Sequence, residues 1–205
     1  NGGPAVGDFI WLSNRHFGGY MSAKDNDDNK IRKLADKTDL ATLWQVEAGS
    51  VDGSVKLKNV GNGKYIGTIV KDADVLQVDE ANAADLTFVN MDGFYGAFQT
   101  TGGDTHSFAN FNSWYGGRVL GWEKNDDSSQ WLINEAYPLT VTYMYNGVED
   151  KDLKVDTYVA SGTVYTIENR IEHFGRVITS CKVGEDIVEP VDGVWPTITL
   201  TAPTK

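Results

Sequence analysis

Leu43-Trp44-Gln45-Val46, Thr87-Phe88-Val89-Asn90 and Gln130-Trp131-Leu132-Ile133 are three short runs of strand-forming residues, each centred on an aromatic ring, at spacings of 44 and 43 residues. Upstream of each lies a second recurring element: Gly19-Tyr20-Met21-Ser22, Lys64-Tyr65-Ile66-Gly67 and Ser107-Phe108-Ala109-Asn110, at spacings of 45 and 43. Leu34, Leu76 and Leu120 give a third anchor, at 42 and 44. A period in this range marks a repeat architecture, in which one supersecondary unit is stacked or closed upon its copies. The units run over Phe9 to Ala48, Ser54 to Asp92 and Tyr95 to Glu135. Within each, short alternating segments such as Val55-Lys56-Leu57-Lys58 are punctuated by Gly, Asn and Asp turns such as Gly61-Asn62-Gly63, which predicts four strands per unit and twelve in all. Helical periodicity is absent beyond one capped turn at Thr38-Asp39-Leu40-Ala41.

Three blades fall short of a propeller, whereas three four-stranded units closing into one barrel make a β-trefoil. The chain resembles the β-trefoil superfamily over residues 7 to 136. Its aromatic-led Gly-x-Tyr hairpin and late Trp look most like the carbohydrate-binding, ricin-like branch. The signature of that branch places Gln two residues before Trp, but here Gln45 follows Trp44 and Gln130 abuts Trp131. The sugar-contacting residues of the family therefore do not transfer position by position. Trefoils also include protease inhibitors, actin bundlers and growth factors, so the job must be argued from the site.

After Pro138, the first proline since Pro4, the repeat stops and the composition turns Val/Thr/Tyr-rich, so a boundary is placed at Ala136-Tyr137-Pro138. The expected fold class is all-β: a trefoil barrel over 1–136, then a small β-rich domain over 137–205. Predicted strands in the second part are Leu139 to Tyr145, Lys151 to Tyr158, Thr163 to Ile167, Arg176 to Val183, Asp186 to Glu189 and Val194 to Thr201, with turns at Asn146-Gly147, Ser161-Gly162 and Asp192-Gly193. The run Val141-Thr142-Tyr143-Met144-Tyr145-Asn146-Gly147, with Thr163-Val164-Tyr165-Thr166-Ile167 after it, resembles the β-grasp or mucin-binding-like repeats of bacterial surface proteins. That resemblance implies a spacer or adhesive role. An immunoglobulin-like sandwich is the alternative, though tight for so few residues.

The chain has 205 residues, with 18 Lys plus Arg against 29 Asp plus Glu, for a net charge of −11. Both parts are acidic, which disfavours nucleic acid, anionic lipid and sulfated glycans as partners. No apolar run is long enough to span a bilayer, so membrane insertion is not expected. Cys181 is the only cysteine and no Asn-x-Ser/Thr sequon occurs, which points to a bacterial rather than a eukaryotic secreted or cell-surface origin. Asn1-Gly2-Gly3-Pro4 reads as the start of a mature or excised piece of a larger protein.

Catalytic chemistry finds little support. His16, His106 and His173 lie in no ligand-spaced motif, Cys181 reads as a small buried hydrophobe on a strand, and Gly102-Gly103-Asp104 lacks the rest of a phosphate loop. Asp25-Asn26-Asp27-Asp28-Asn29 alternates oxygen donors, with Asp36 at the twelfth place, but Lys30 stands where a calcium loop needs glycine. It reads as a solvated loop, and no metal or other cofactor is expected. The third unit alone carries Asp104, His106, Asn110, Asn112, Trp114 and Tyr115, with Trp122 beyond. Rings that can stack on the C–H face of a pyranose, beside Asp and Asn that exchange hydrogen bonds with hydroxyls, suit a sugar. Trp11, Asn14, Arg15 and His16 form a second candidate group. The expectation is a non-catalytic module that binds a neutral glycan. The alternative is a spacer or adhesin that docks a host or cell-surface protein, and protease inhibition is a third reading without a sequence signature.

Overall fold

The computed structural model describes residues 3–24, 28–34, 36–37, 39–114, 117–167, 175 and 177–205. Asp25, Asn26, Asp27, Tyr115 and His173 lie outside the described residues. The chain divides into two compact units, Asn1–Glu135 and Ala136–Lys205.

In the first unit the repeats become strands. Repeat one supplies β1 (Phe9–Asn14), β2 (Tyr20–Ser22), β3 (Arg32–Leu34) and β4 (Leu43–Ala48). Repeat two supplies β5 (Val55–Asn59), β6 (Tyr65–Ile66), β7 (Gln77–Val78) and β8 (Leu86–Asn90). Repeat three supplies β9 (Tyr95–Thr100), β10 (Phe108–Asn112), β11 (Arg118–Trp122) and the start of β12 (Trp131–Tyr145). The first and last strands of the repeats pair in the cycle β1–β4–β5–β8–β9–β12 and back to β1, so the barrel has no free edge. The middle strands form the hairpins β2–β3, β6–β7 and β10–β11. These meet one another through the pair Arg32/Arg118 and the bridges Lys30/Leu76 and Asp74/Leu120. Six barrel strands under three hairpins is the β-trefoil arrangement.

Period-two alternation drives Ile10, Leu12, Val46 and Leu57 inward, where they join Met21, Phe98, Trp44 and Trp131 in one buried cluster. A short 3₁₀ turn precedes the last strand of each repeat: Leu40–Thr42, Glu80–Asn82 and Asp127–Ser129. Asp39 and Asp126 cap two of them through their side chains, on the N–H groups of Ala41 and Ser128 at 2.9 and 2.8 Å. Asp79 holds the same place in the middle repeat, but its carboxylate is taken by Lys64 at 2.6 Å.

Counting from these caps revises two sequence alignments. The slot of Trp44 and Trp131 falls on Ala84 in the middle repeat, not on Phe88. The indole N–H groups of Trp44 and Trp131 donate to the carbonyls of Met21 and Ala109 at 3.1 and 2.9 Å, and the equivalent carbonyl of Ile66 takes the backbone N–H of Ala84 at 3.0 Å. Phe88 is half-buried and stacks on Phe98 instead, with ring centres 5.0 Å apart. The leucine anchor slips as well. Tyr20, Tyr65 and Phe108 face Leu34, Val78 and Trp122, two positions beyond Leu76 and Leu120. Trp122 therefore fills a repeated position rather than one peculiar to the third unit.

The second unit is built of strand pairs. The later part of β12 pairs with β13 (Val148–Ala160) across the two-residue turn Asn146-Gly147. β14 (Val164–Thr166) pairs with β17 (Thr197–Thr199), and β15 (Cys181–Val183) with β16 (Asp186–Val188). Asn146-Gly147 and Asp192-Gly193 both have positive φ, as mirror-image turns require. The strand expected over Arg176 to Val183 runs, among the described residues, only over Cys181–Val183, where β16 offers a partner of three residues. Among the described residues of the second unit the buried apolar side chains are Ala136, Leu139, Trp195 and Leu200. Cys181 is half-buried rather than buried, and burial pushes its thiol pKa up, away from thiolate chemistry. Among the described residues no helix is long and apolar enough to cross a membrane.

Candidate functional site

The hairpin β10–β11 decides how the third-repeat residues are distributed. Its register runs from Phe108/Trp122 at one end, through Asn110/Leu120, to Asn112/Arg118 at the turn. At about 3.4 Å per residue, four residues separate the two ends by roughly 13 Å. The predicted group is therefore two surfaces rather than one. Asn110, between them, is 4% exposed and gives its amide N–H to Ser129 Oγ at 2.9 Å. It locks the strand to the 3₁₀ turn and does not reach a ligand.

At the barrel end of the hairpin, Asp104, His106 and Trp122 come together. The turn between β9 and β10 is shaped by Asp104, whose Oδ1 accepts from the His106 N–H at 2.8 Å and the Ser107 hydroxyl at 3.0 Å. The His106 hydrogen bond foremost, then that of Ser107, holds this carboxyl below the usual aspartate value. His106 packs edge-on to Trp122, with centroids 5.3 Å apart. Its Nε2 faces Glu123 Oε1 at 3.2 Å, and its Nδ1 lies 3.1 Å from the Thr105 hydroxyl. A contribution from the second repeat completes the surface. The Gly121 N–H donates to the Val70 carbonyl and the Asp72 N–H to the Gly121 carbonyl, both at 3.1 Å, which carries Lys71 Nζ to 5.6 Å from the Trp122 ring. That approach requires glycine at 121, since a Cβ there would lie 2.2 Å from the Val70 carbonyl oxygen.

The turn end is different in character. Asn112 Oδ1 accepts from the Trp114 N–H at 2.9 Å, and the Trp114 side chain is 88% exposed. Phe111 is buried against Phe17 of the first repeat in an edge-on contact, and Lys33 Nζ lies 4.6 Å from the Phe111 ring. This is an aromatic and cationic surface with one side-chain amide, already engaged.

Three of the four first-repeat candidates are structural, and the fourth, His16, is exposed and packs edge-on to Phe17. Trp11 is buried. Asn14 donates to the Ser128 carbonyl at 2.9 Å while its Oδ1 accepts from the N–H groups of His16 and Phe17, which pins the β1–β2 turn. Asn59 repeats that role one unit later, on the Ala41 carbonyl at 2.7 Å and the Gly61 and Asn62 N–H groups. Arg15 is clamped by Asp92 and by Gln130 at 2.6 Å, over the Tyr95 ring. The hydrogen bond to Asp92 raises its pKa further, so it is a fixed cation already paired. Sequence reasoning missed Lys71 and Glu123. Glu123 could have been found as the neighbour of Trp122, whereas Lys71 has no local signal. Among the described residues no group of His, Cys, Asp and Glu is arranged to hold a metal ion.

No protein-family model and no curated protein matches the chain. Solved structures do resemble it. The ricin B-like lectin of Macrolepiota procera, solved with lactose, superposes with a TM-score of 0.55 at 11% identity over 64% of this chain and 97% of that one. The designed three-fold symmetric protein ThreeFoil gives 0.51 at 17% identity over 61% and 96%. An exo-β-1,3-galactanase of Clostridium thermocellum gives 0.53 at 17% identity, over 63% of this chain but 30% of the enzyme. At such identities the likeness shows the fold alone: an all-β chain with a closed barrel whose structural neighbours are β-trefoils.

Proposed function

We propose that this chain is a non-catalytic carbohydrate-binding module that takes a neutral glycan on the Trp122 surface, as part of a larger secreted or cell-surface bacterial protein. The observation that carries the reading is the half-buried Trp122 ring set among His106, Asp104, Glu123 and Lys71. The ring offers a face for sugar C–H groups, the second carboxylate oxygens of Glu123 and Asp104 accept hydroxyl hydrogens, and Lys71 donates. Lys71 offsets one of the two carboxylates, so the surface carries little net charge, which suits an uncharged ligand. The lactose held by the Macrolepiota lectin and the galactan-cleaving activity named for the Clostridium enzyme make galactosides the first sugars to try. Few polar contacts and an open surface imply modest affinity per site.

The adhesin or spacer reading draws on a separate observation, the exposed Trp114 beside the Phe17/Phe111 pair. A glycan array probed with the intact chain, Trp122→Ala and Trp114→Ala, with melting curves for all three, separates the two. Loss of glycan binding in folded Trp122→Ala and its retention in Trp114→Ala supports the sugar site. Absence of any glycan signal from the parent protein overturns it, and a protein partner lost only in Trp114→Ala then supports the adhesin.

A further inference from the structure

The sequence contains three Asn-Gly pairs, Asn1-Gly2, Asn62-Gly63 and Asn146-Gly147, of which the last two are described. Glycine leaves the path from its own nitrogen to the preceding side-chain amide unobstructed, since it has no Cβ and turns freely. The two pairs are held very differently. Asn62 is half-buried, donates to the Ala23 carbonyl at 2.9 Å and Gln77 Oε1 at 2.8 Å, and accepts from the Lys64 N–H. The Gly63 N–H is itself bonded to the Asn59 carbonyl at 2.9 Å. Attack of Gly63 on that amide would break these bonds at once. Asn146 and Gly147 instead form the exposed tip between β12 and β13, with φ of 48° and 79° and Tyr145 paired to Val148. In such a turn the bond that closes the loop runs between the flanking residues, which leaves the glycine N–H turned to water. Among the described residues, neither the Asn146 amide nor the Gly147 N–H bonds to another group.

We infer that Asn146 is a site of spontaneous deamidation, a slow covalent change confined to the tip of the second unit. Hydroxide removes the Gly147 amide proton, the nitrogen bonds to Asn146 Cγ, and the Cγ–Nδ2 bond breaks with loss of ammonia, closing a five-membered succinimide. Water then adds to one of the two ring carbonyls and opens it, to aspartate or to isoaspartate. Either product places a new carboxylate beside Glu149 and Asp150. Isoaspartate also routes the main chain through the side chain, and the lengthened two-residue loop no longer fits the Tyr145/Val148 register.

The test is incubation of the whole chain in mildly alkaline buffer, followed by peptide mapping and isoaspartyl methyltransferase labelling, with a synthetic peptide of residues 143–150 treated alongside. The expected result is exchange of amide for acid at Asn146 many times faster than at Asn62, abolished in Asn146→Gln and slowed in Gly147→Ala. Asn146 remaining an amide while the free peptide converts would overturn the inference, as would Asn62 converting at the same rate. Asn146→Gln lies at an exposed tip, so its melting curve serves as a check that the fold is intact.

Discussion

The first and third repeats close the barrel with a buried tryptophan, and the middle repeat does not. Where Trp44 and Trp131 donate an indole N–H to the carbonyls of Met21 and Ala109, the middle repeat satisfies the carbonyl of Ile66 with the main-chain N–H of Ala84. The conserved element is thus a satisfied carbonyl at a set place, rather than a side chain. The same logic governs the outer surface. The positions of Leu34, Val78 and Trp122 are equivalent in register, yet only the third carries an aromatic ring. A scaffold that needs these positions only to pair leaves them free to differ, and a binding surface can grow on one copy alone.

The largest effect should come from breaking the tryptophan closure. Trp131→Ala removes a fully buried ring and orphans the Ala109 carbonyl, for an expected loss of about 3–5 kcal/mol in denaturant unfolding. Phe88→Ala, half-buried, should cost clearly less. Equal losses would mean that Phe88, and not Ala84, is the true counterpart of the tryptophans.

Next in size is Gly121→Ala, where the added methyl meets the Val70 main chain and should cost about 1–3 kcal/mol as overpacking. Unlike the tryptophan change it should also weaken sugar binding, since it pushes Lys71 away from Trp122. Smaller in energy is Trp122→Ala, expected to reduce glycan affinity by about tenfold or more, roughly 1.4 kcal/mol, with little change in melting temperature. The equivalent Val78→Ala should leave affinity untouched, and this sharpens the contrast between repeats.

The least effect is that of pH on the Asp104 turn. Its carboxyl has a folded-state pKa below the unfolded one, so its stabilisation is present above the unfolded value and is lost as pH falls through the folded value. Asp104→Asn should flatten the acid limb of a melting-temperature profile by lowering the melting temperature slightly at neutral pH while leaving the acid end nearly unchanged. A profile identical to that of the parent protein would show that the turn does not depend on the charge.

Much of the fold was legible because a repeat writes its period directly into the chain. Three aromatic-centred runs and three Tyr- or Phe-led hairpins led to twelve strands and a trefoil, and the turn at Asn146-Gly147 follows from the one pair that favours positive φ twice over. Equal spacing misled where the repeats differ in loop length. Phe88 was matched to the tryptophans because counting residues cannot see that the middle repeat reaches its 3₁₀ turn sooner.

The candidate site residues could be named from the sequence, but not their grouping. The aromatic and polar residues of the third unit are adjacent in sequence, yet a strand sends successive side chains to opposite faces and its ends lie far apart. Asn110 is tied inward to Ser129, and Trp114 lies at the opposite end of the hairpin from Trp122. Sequence by itself determined the period, the turn residues and the acidic balance, because these are local or additive properties. Only tertiary structure decided that Lys71 of one repeat lies over Trp122 of the next, and that Asn14 is a fastening rather than a ligand. Those contacts join residues dozens of positions apart, and they exist only once the barrel closes.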